Sequence, residues 1–124
     1  MVNPWNDTTP IYVQLRERVV AQILAGDIRP GEALPSVRQV AAELAINPIT
    51  VSKAYQTLSD DGLVEKRRGL GLYVSEGADT VLRRRERELF MSQEWPAMII
   101  RMRSLGIDPA QLLAQLQRNE ESGP

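Results

Sequence analysis

The dipeptide Asn47-Pro48 splits one apolar-periodic stretch into two helices and leaves the chain few alternatives. Proline disfavours helical geometry in the residue before it, so no helix continues through Asn47. The same pair starts a helix well: asparagine is a good N-cap, and proline fits the first helical position, where no amide hydrogen is needed. Upstream, Ser36 with Gln39 three residues on predicts a capping box, and Val37, Val40, Ala41 and Leu44 recur on one helical face. Downstream, Val51, Ala54, Tyr55 and Leu58 form the inner stripe of a helix from about Pro48, which Gly62 ends as a left-handed cap. Two short helices joined by so tight a turn cross at a large angle.

Leu63 to Val74 then reads as a hairpin, with β-branched and aromatic residues flanking a turn that carries Gly69 and Gly71. Its tip is expected to hold Lys66, Arg67 and Arg68. Helix, tight turn, helix and basic hairpin, in that order, make a winged helix-turn-helix, a mostly α (α+β) fold. In that geometry the second helix presents its N-terminal residues to base edges in the major groove. Here these are Asn47, Ile49, Thr50, Ser52 and Lys53. Thr50 and Ser52 can hydrogen-bond phosphate or base, Lys53 can neutralise a phosphate, and Ile49 can touch a thymine methyl. Cations on a hairpin beside such a helix are placed to grip the backbone or enter the minor groove. Taken singly, each residue has a plain reading, Asn47 as a cap and Thr50 and Ser52 as solvated hydroxyls. As a block they point to DNA.

The pattern L-P-S-x-R-x-x-A-x-x-L from Leu34, then T-V-x-x-A-Y-x-x-L-x-x-x-G-L from Thr50, then G-x-G at Gly69 and Gly71, resembles the DNA-binding domain of GntR-family bacterial transcription regulators. The likeness covers roughly residues 9 to 75. It implies a DNA contact from Arg38, beside Ser36 in the same motif, base reading by Asn47, Thr50 and Ser52, and minor-groove entry at Arg68 and Gly69. It further implies a phosphate contact from Tyr55. Some relatives place arginines early in the recognition helix where this chain has Pro48 and Ser52, which moves base readout toward Arg38 and the wing.

Composition fits a small regulator and excludes most chemistry. The 124 residues allow a DNA-binding domain, expected over residues 1–77, and a short appendage over 78–124. With 43% hydrophobic residues the core is small, so stability is expected to depend on pairing. Absence of cysteine and histidine removes disulfides, thiolate sites and the commonest metal ligand and general base. The carboxylate pairs Asp60-Asp61 and Glu120-Glu121 lie at a helix end and in a tail, without a base, nucleophile or metal set. No catalytic residue, metal or cofactor is therefore expected. The chain has no long apolar run and no cleavable leader, which predicts a cytoplasmic protein with no membrane partner. A net charge of −1 is low for a DNA binder, so the basic residues must converge on one face while Glu43, Asp60 and Asp61 lie elsewhere.

An N-terminal helix is expected with Thr9 as cap, Pro10 at its start, and Ile11, Leu15, Val19 and Ile23 repeating every fourth residue to Gly26. Arg29-Pro30-Gly31 predicts a turn. Trp5 has two readings, packing on the domain or meeting a partner. After a linker over Ser75 to Asp79, a helix from about Thr80 carries Arg83, Arg84, Arg85, Glu86, Arg87 and Glu88, either a solvated face or extra phosphate contacts. Pro96 should kink or restart it after Trp95. Met98, Ile99, Met102 and Leu105 then make an apolar stripe ending at Gly106. Asp108 and Pro109 start a last helix whose inner face is Leu112, Leu113 and Leu116.

Two such helices are too little to enclose a drug-sized pocket. Leu82, Leu89, Phe90, Met98, Ile99, Met102, Leu112 and Leu116 are expected to build a homodimer interface, with an intrachain satellite core as the other reading. A twofold dimer matches an inverted-repeat operator in double-stranded DNA. The two-helix appendage resembles the YtrA subfamily of the GntR family, which implies a dimeric repressor, often of its own operon and of neighbouring ABC-transporter genes. Whether a small-molecule effector exists stays open. The competing function is a winged-helix module that binds protein without specific DNA binding.

Overall fold

The computed structural model describes residues 5–121. Its elements are α1 (Ile11–Ala25), α2 (Val37–Leu44), α3 (Pro48–Asp60), β1 (Val64–Arg67), β2 (Gly71–Val74), α4 (Ala78–Leu89), one π-helical turn (Phe90–Glu94), α5 (Trp95–Ser104) and α6 (Pro109–Glu121). The fold is the expected mostly helical one with a two-stranded wing. Two compact units divide between Arg84 and Arg85, later than the boundary expected at residue 77.

In the first unit α1, α2 and α3 surround one core. Leu15, Val19 and Ile23 come from α1, Val40 and Ala41 from α2, Val51, Ala54 and Leu58 from α3, and Leu63, Val64 and Val74 from the hairpin. Ala78 and Leu82 of α4 join the same core, and Leu82 is only 4% exposed. Leu82 is thus a core residue of the first unit and is not available to a dimer interface. The helix it sits on opens at Ala78, inside the expected linker.

The start of α1 differs from the reading of Thr9 as its cap. Pro10 occupies the N-cap position without a side-chain bond, and its carbonyl accepts from the amides of Val13 and Gln14. The α1 stripe also omits Ile11, which is exposed, and takes in Gln14. That buried carboxamide donates to the carbonyls of Asn6 (2.9 Å) and Thr9 (2.6 Å) and accepts from the Asn6 amide (3.0 Å). Its polar atoms are thereby satisfied, as burial demands. Residues 5–9 are tied onto α1, and Trp5 packs on the core with the Arg18 guanidinium 5.2 Å from its ring centre. Trp5 therefore packs within its own domain.

The connection from α1 to α2 does more than turn. Pro30 and Gly31 (φ 86°) make the centre of a type II turn closed by Glu32 N–H to Arg29 O at 3.0 Å. The chain then runs along β2: Gly31 donates to Val74, Val74 to Glu32, and Leu34 to Leu72. This lashes the wing to the helical core.

In the second unit Pro96 has the effect its chemistry requires. A proline inside a helix removes one amide and crowds the carbonyl four residues back, here Ser92. The π turn just before it widens the helix, and Trp95 N–H bonds Phe90 O, five residues back. Asp108 Oδ1 caps α6 by accepting from the Ala110 amide at 3.0 Å. Of the residues expected to face inward on α6, Leu113 and Leu116 are 58% and 62% exposed, and Leu112 is half-buried. With Trp95, Met98 and Met102 these leucines line an open groove of about 580 Å³ between α5 and α6. The two helices thus leave an open apolar groove along their facing sides.

Candidate nucleic-acid interface

The turn between α2 and α3 is set by Ala45, whose left-handed φ of 54° and ψ of 46° end α2. Asn47 Oδ1 accepts from the Ile49 amide at 2.9 Å and starts α3, with Pro48 in the first turn. At the head of α2, Ser36 Oγ accepts from the Gln39 amide at 3.1 Å. The reciprocal half of the capping box is not made, because the Gln39 carboxamide donates to Glu43 Oε1 one turn on. Arg38, one position earlier, is exposed and has no hydrogen bond or ion pair among the described residues.

Tyr55 joins these pieces. Its ring is 4% exposed and its hydroxyl donates to Pro35 O at 2.7 Å, which holds the head of α2 against α3. Burial pushes its pKa from 10.0 up to about 12. Its hydroxyl proton is thus engaged by Pro35 O, and the residue positions the head of α2 beneath the surface.

The hairpin register pairs Val64 with Val74, Glu65 with Tyr73, Lys66 with Leu72 and Arg67 with Gly71. The tip is the turn from Arg67 to Leu70, closed by Leu70 N–H to Arg67 O at 2.9 Å. Lys66 consequently lies on β1 and Arg67 ends that strand as the first residue of the turn, whose centre is Arg68 and Gly69. Side chains alternate along a strand, so Lys66 and Arg67 take opposite faces. The Arg67 guanidinium sits 4.2 Å from the Tyr73 ring centre and 3.8 Å from Glu65 Oε1. Lys66 lines a hollow of about 250 Å³ with Ser52, Gln56 and Ser59 of α3 and with Gly71. Gly69 and Gly71 have φ of 76° and 91°, the conformation the turn needs.

Of the expected site residues, Ser52, Lys66 and Gly71 are thus brought together, and Ser36 and Gly71 share a second hollow with Leu70. Arg38, Asn47 and Arg68 are exposed, and Thr50 is half-buried. Lys53 takes another direction, its ammonium 4.2 Å from the Tyr12 ring centre on α1. Gln56, Ser59 and Leu70 had no role in the sequence reading. Ser52, Gln56 and Ser59 recur at helical spacing, a signal that was present but carried no apolar mark.

The model of the bacterial regulatory proteins of the gntR family matches residues 11–74. The chain belongs to the GntR family. Over 75 residues it is 47% identical to the HTH-type transcriptional repressor YtrA of Bacillus subtilis, covering 60% of this chain and 58% of YtrA. The chain thus matches little more than half of that relative's length. A GntR family transcriptional regulator from Listeria monocytogenes has a similar structure, with a TM-score of 0.69 and 28% identity over 92% of this chain and 98% of that one. The DNA-binding domain of AraR, solved in complex with operator ORX1, matches with a TM-score of 0.53 and 25% identity over 60% of this chain and 92% of that one. The Bacillus subtilis and Listeria monocytogenes relatives are named as a transcriptional repressor and a transcriptional regulator, not as enzymes.

No helix among the described residues is long and apolar enough to cross a membrane.

Proposed function

We propose that this protein is a transcription repressor of the YtrA type that binds an inverted-repeat operator in double-stranded DNA as a homodimer. One observation carries the DNA-binding part. The family match coincides with the stretch in which the head of α2, the exposed first turns of α3 and the cationic wing lie around Tyr55. Arg38, Ser52, Lys66 and Arg68 are the residues assigned to phosphates and base edges, with Gly69 and Gly71 letting the wing backbone approach the minor groove. Asn47 and Thr50 complete the helix surface. Lys53 reaches a phosphate only by leaving Tyr12, and Arg67 only by leaving Tyr73. The net charge of −1 goes with few phosphate contacts and modest non-specific affinity.

The homodimer rests on the second unit. Leu89, Phe90, Met98 and Leu116 are between 39% and 62% exposed, while Ile99 and Leu112 are half-buried. Monomeric proteins rarely leave so much contiguous apolar surface in water, and a second copy covers it with matching chemistry. Met102 is already 93% buried and contributes from beneath. The protein acts in the cytoplasm, where its own operon and linked ABC-transporter genes are the candidate targets.

Selection of bound fragments from genomic DNA tests the reading, with light scattering on the same sample. An enriched inverted repeat bound by a dimer supports it. A monomer in solution overturns the dimer, and recovery of no motif means that an effector is needed or that the winged helix serves a protein partner.

A further inference from the structure

We propose that Ile49 reads one thymine in each operator half-site through that base's 5-methyl group. The inference rests on the DNA-binding reading above and names what the recognition helix recognises. In the first unit, the large hydrophobic residues that stand well out among the described residues are Ile49, 75% exposed, and Leu70, 66% exposed; Ile11 follows at 36%. Single exposed aliphatics are ordinary on a surface. Here both stand at the ends of the two elements that enter a duplex, α3 and the wing, while the rest of the unit buries its apolar side chains.

The first turn of α3 offers little else. It reads Pro48-Ile49-Thr50, the threonine is half-buried, and α3 contains no arginine. The Asn47 carboxamide oxygen accepts from the Ile49 amide itself. Lys53 stands over Tyr12, and the Tyr55 hydroxyl is donated to Pro35. The cap bond fixes the backbone direction of Ile49, and a β-branched side chain in a helix keeps one strongly preferred rotamer. A rigid aliphatic group is therefore aimed outward from the helix end that meets base edges. Across the four bases, the major groove presents one apolar feature, the thymine 5-methyl. The minor groove presents none, so Leu70 on the wing cannot make the same contact.

The test replaces each thymine of the selected operator in turn by deoxyuridine, which removes the methyl and leaves pairing and the minor groove unchanged. Binding is measured for the full-length protein, Ile49→Val and Ile49→Ala. Burial of one methyl-sized group predicts roughly a fourfold loss per half-site, or about fifteen-fold when both half-sites are changed. That loss should occur at one thymine per half-site, persist in part in Ile49→Val, and vanish in Ile49→Ala. Because Ile49 is exposed, both variants should melt at the temperature of the unchanged protein. Tolerance of uracil at every position overturns the proposal, as does an equal penalty in Ile49→Ala. Selection that enriches no site overturns the DNA-binding reading together with this one. An enriched site indifferent to uracil overturns this one alone.

Discussion

The two units use the same kind of amphipathic helix and end in opposite states. Before Arg84 the apolar stripes of α1, α2 and α3 close on one another, and Val51, Ala54 and Leu58 are fully buried. After Arg85 only Met102 is buried among the described residues, and Leu89, Phe90, Met91, Trp95, Met98, Ile100, Leu105, Leu113 and Leu116 stay exposed. A periodic apolar stripe says that a helix must be covered. It does not say whether its own chain covers it. The wing supplies the missing cover in the first unit, and α5 and α6 leave a groove in the second. The first unit should thus have a stability of its own, and the second a stability that rises with protein concentration.

The largest effect is expected where the core is complete. Leu58→Ala should cost about 2–5 kcal/mol, read as a lower urea midpoint, because the fully packed site cannot collapse around the lost atoms. Leu116→Ala, at high dilution, should cost little. If the two changes cost the same at high dilution, the contrast between the units is wrong.

A charge in the groove comes next. Leu116→Glu should weaken self-association by roughly tenfold or more, since the carboxylate would be buried against a partner without a counter-charge. Light scattering over a dilution series reads it, and the melting of the first unit should not move. An unchanged dimer would place the interface elsewhere on the chain.

Tyr55 gives a smaller, pH-dependent effect. Its folded pKa of about 12 lies above the ordinary 10.0, so the folded state holds the proton more tightly than the unfolded chain does. The stabilisation is fully present below pH 10 and is lost as pH rises through 12. Tyr55→Phe should cost about 1 kcal/mol at pH 8 through the lost bond to Pro35 O. It should also flatten the decline between pH 10 and 12, measured as the change in urea midpoint. An equally steep decline in the variant would assign it to other groups.

Local rules made the helix-turn-helix legible. Asn47 caps, Pro48 begins, Gly62 ends with φ 75°, and each acts through its own backbone neighbours. The wing was legible as a hairpin, but its register was not. One residue of register decides whether Lys66 or Arg67 faces α3, and the run of three cations holds no information on that. The periodicity of Tyr55 gave its core position, while its bond to Pro35 O left no local mark. The lashing of residues 31–34 to β2 was illegible, since backbone pairing across that distance in sequence leaves no local mark. In the second unit the stripes were read correctly as apolar, yet Leu82 was assigned to the wrong side of a boundary that only tertiary packing sets.

The smallest expected effect lies in the turn on which the interface depends. Ala45 holds φ 54° and ψ 46°, and is the one non-glycine residue with positive φ among those described. For an L-residue that conformation brings Cβ close to the following carbonyl, which costs on the order of 1 kcal/mol. Glycine removes the clash but has more unfolded freedom to lose. The balance favours glycine where φ is positive, so Ala45→Gly should stabilise the first unit by about 0.5–1 kcal/mol. The readout is a higher urea midpoint with an unchanged dimer dissociation constant. A gain in the midpoint with weaker operator binding would mean that the alanine stiffens the turn between α2 and α3, trading stability for a fixed angle between the head of α2 and the recognition helix. A loss of stability would mean that the Ala45 methyl makes a packing contact worth more than the strain. Either result separates what this turn does for folding from what it does for binding.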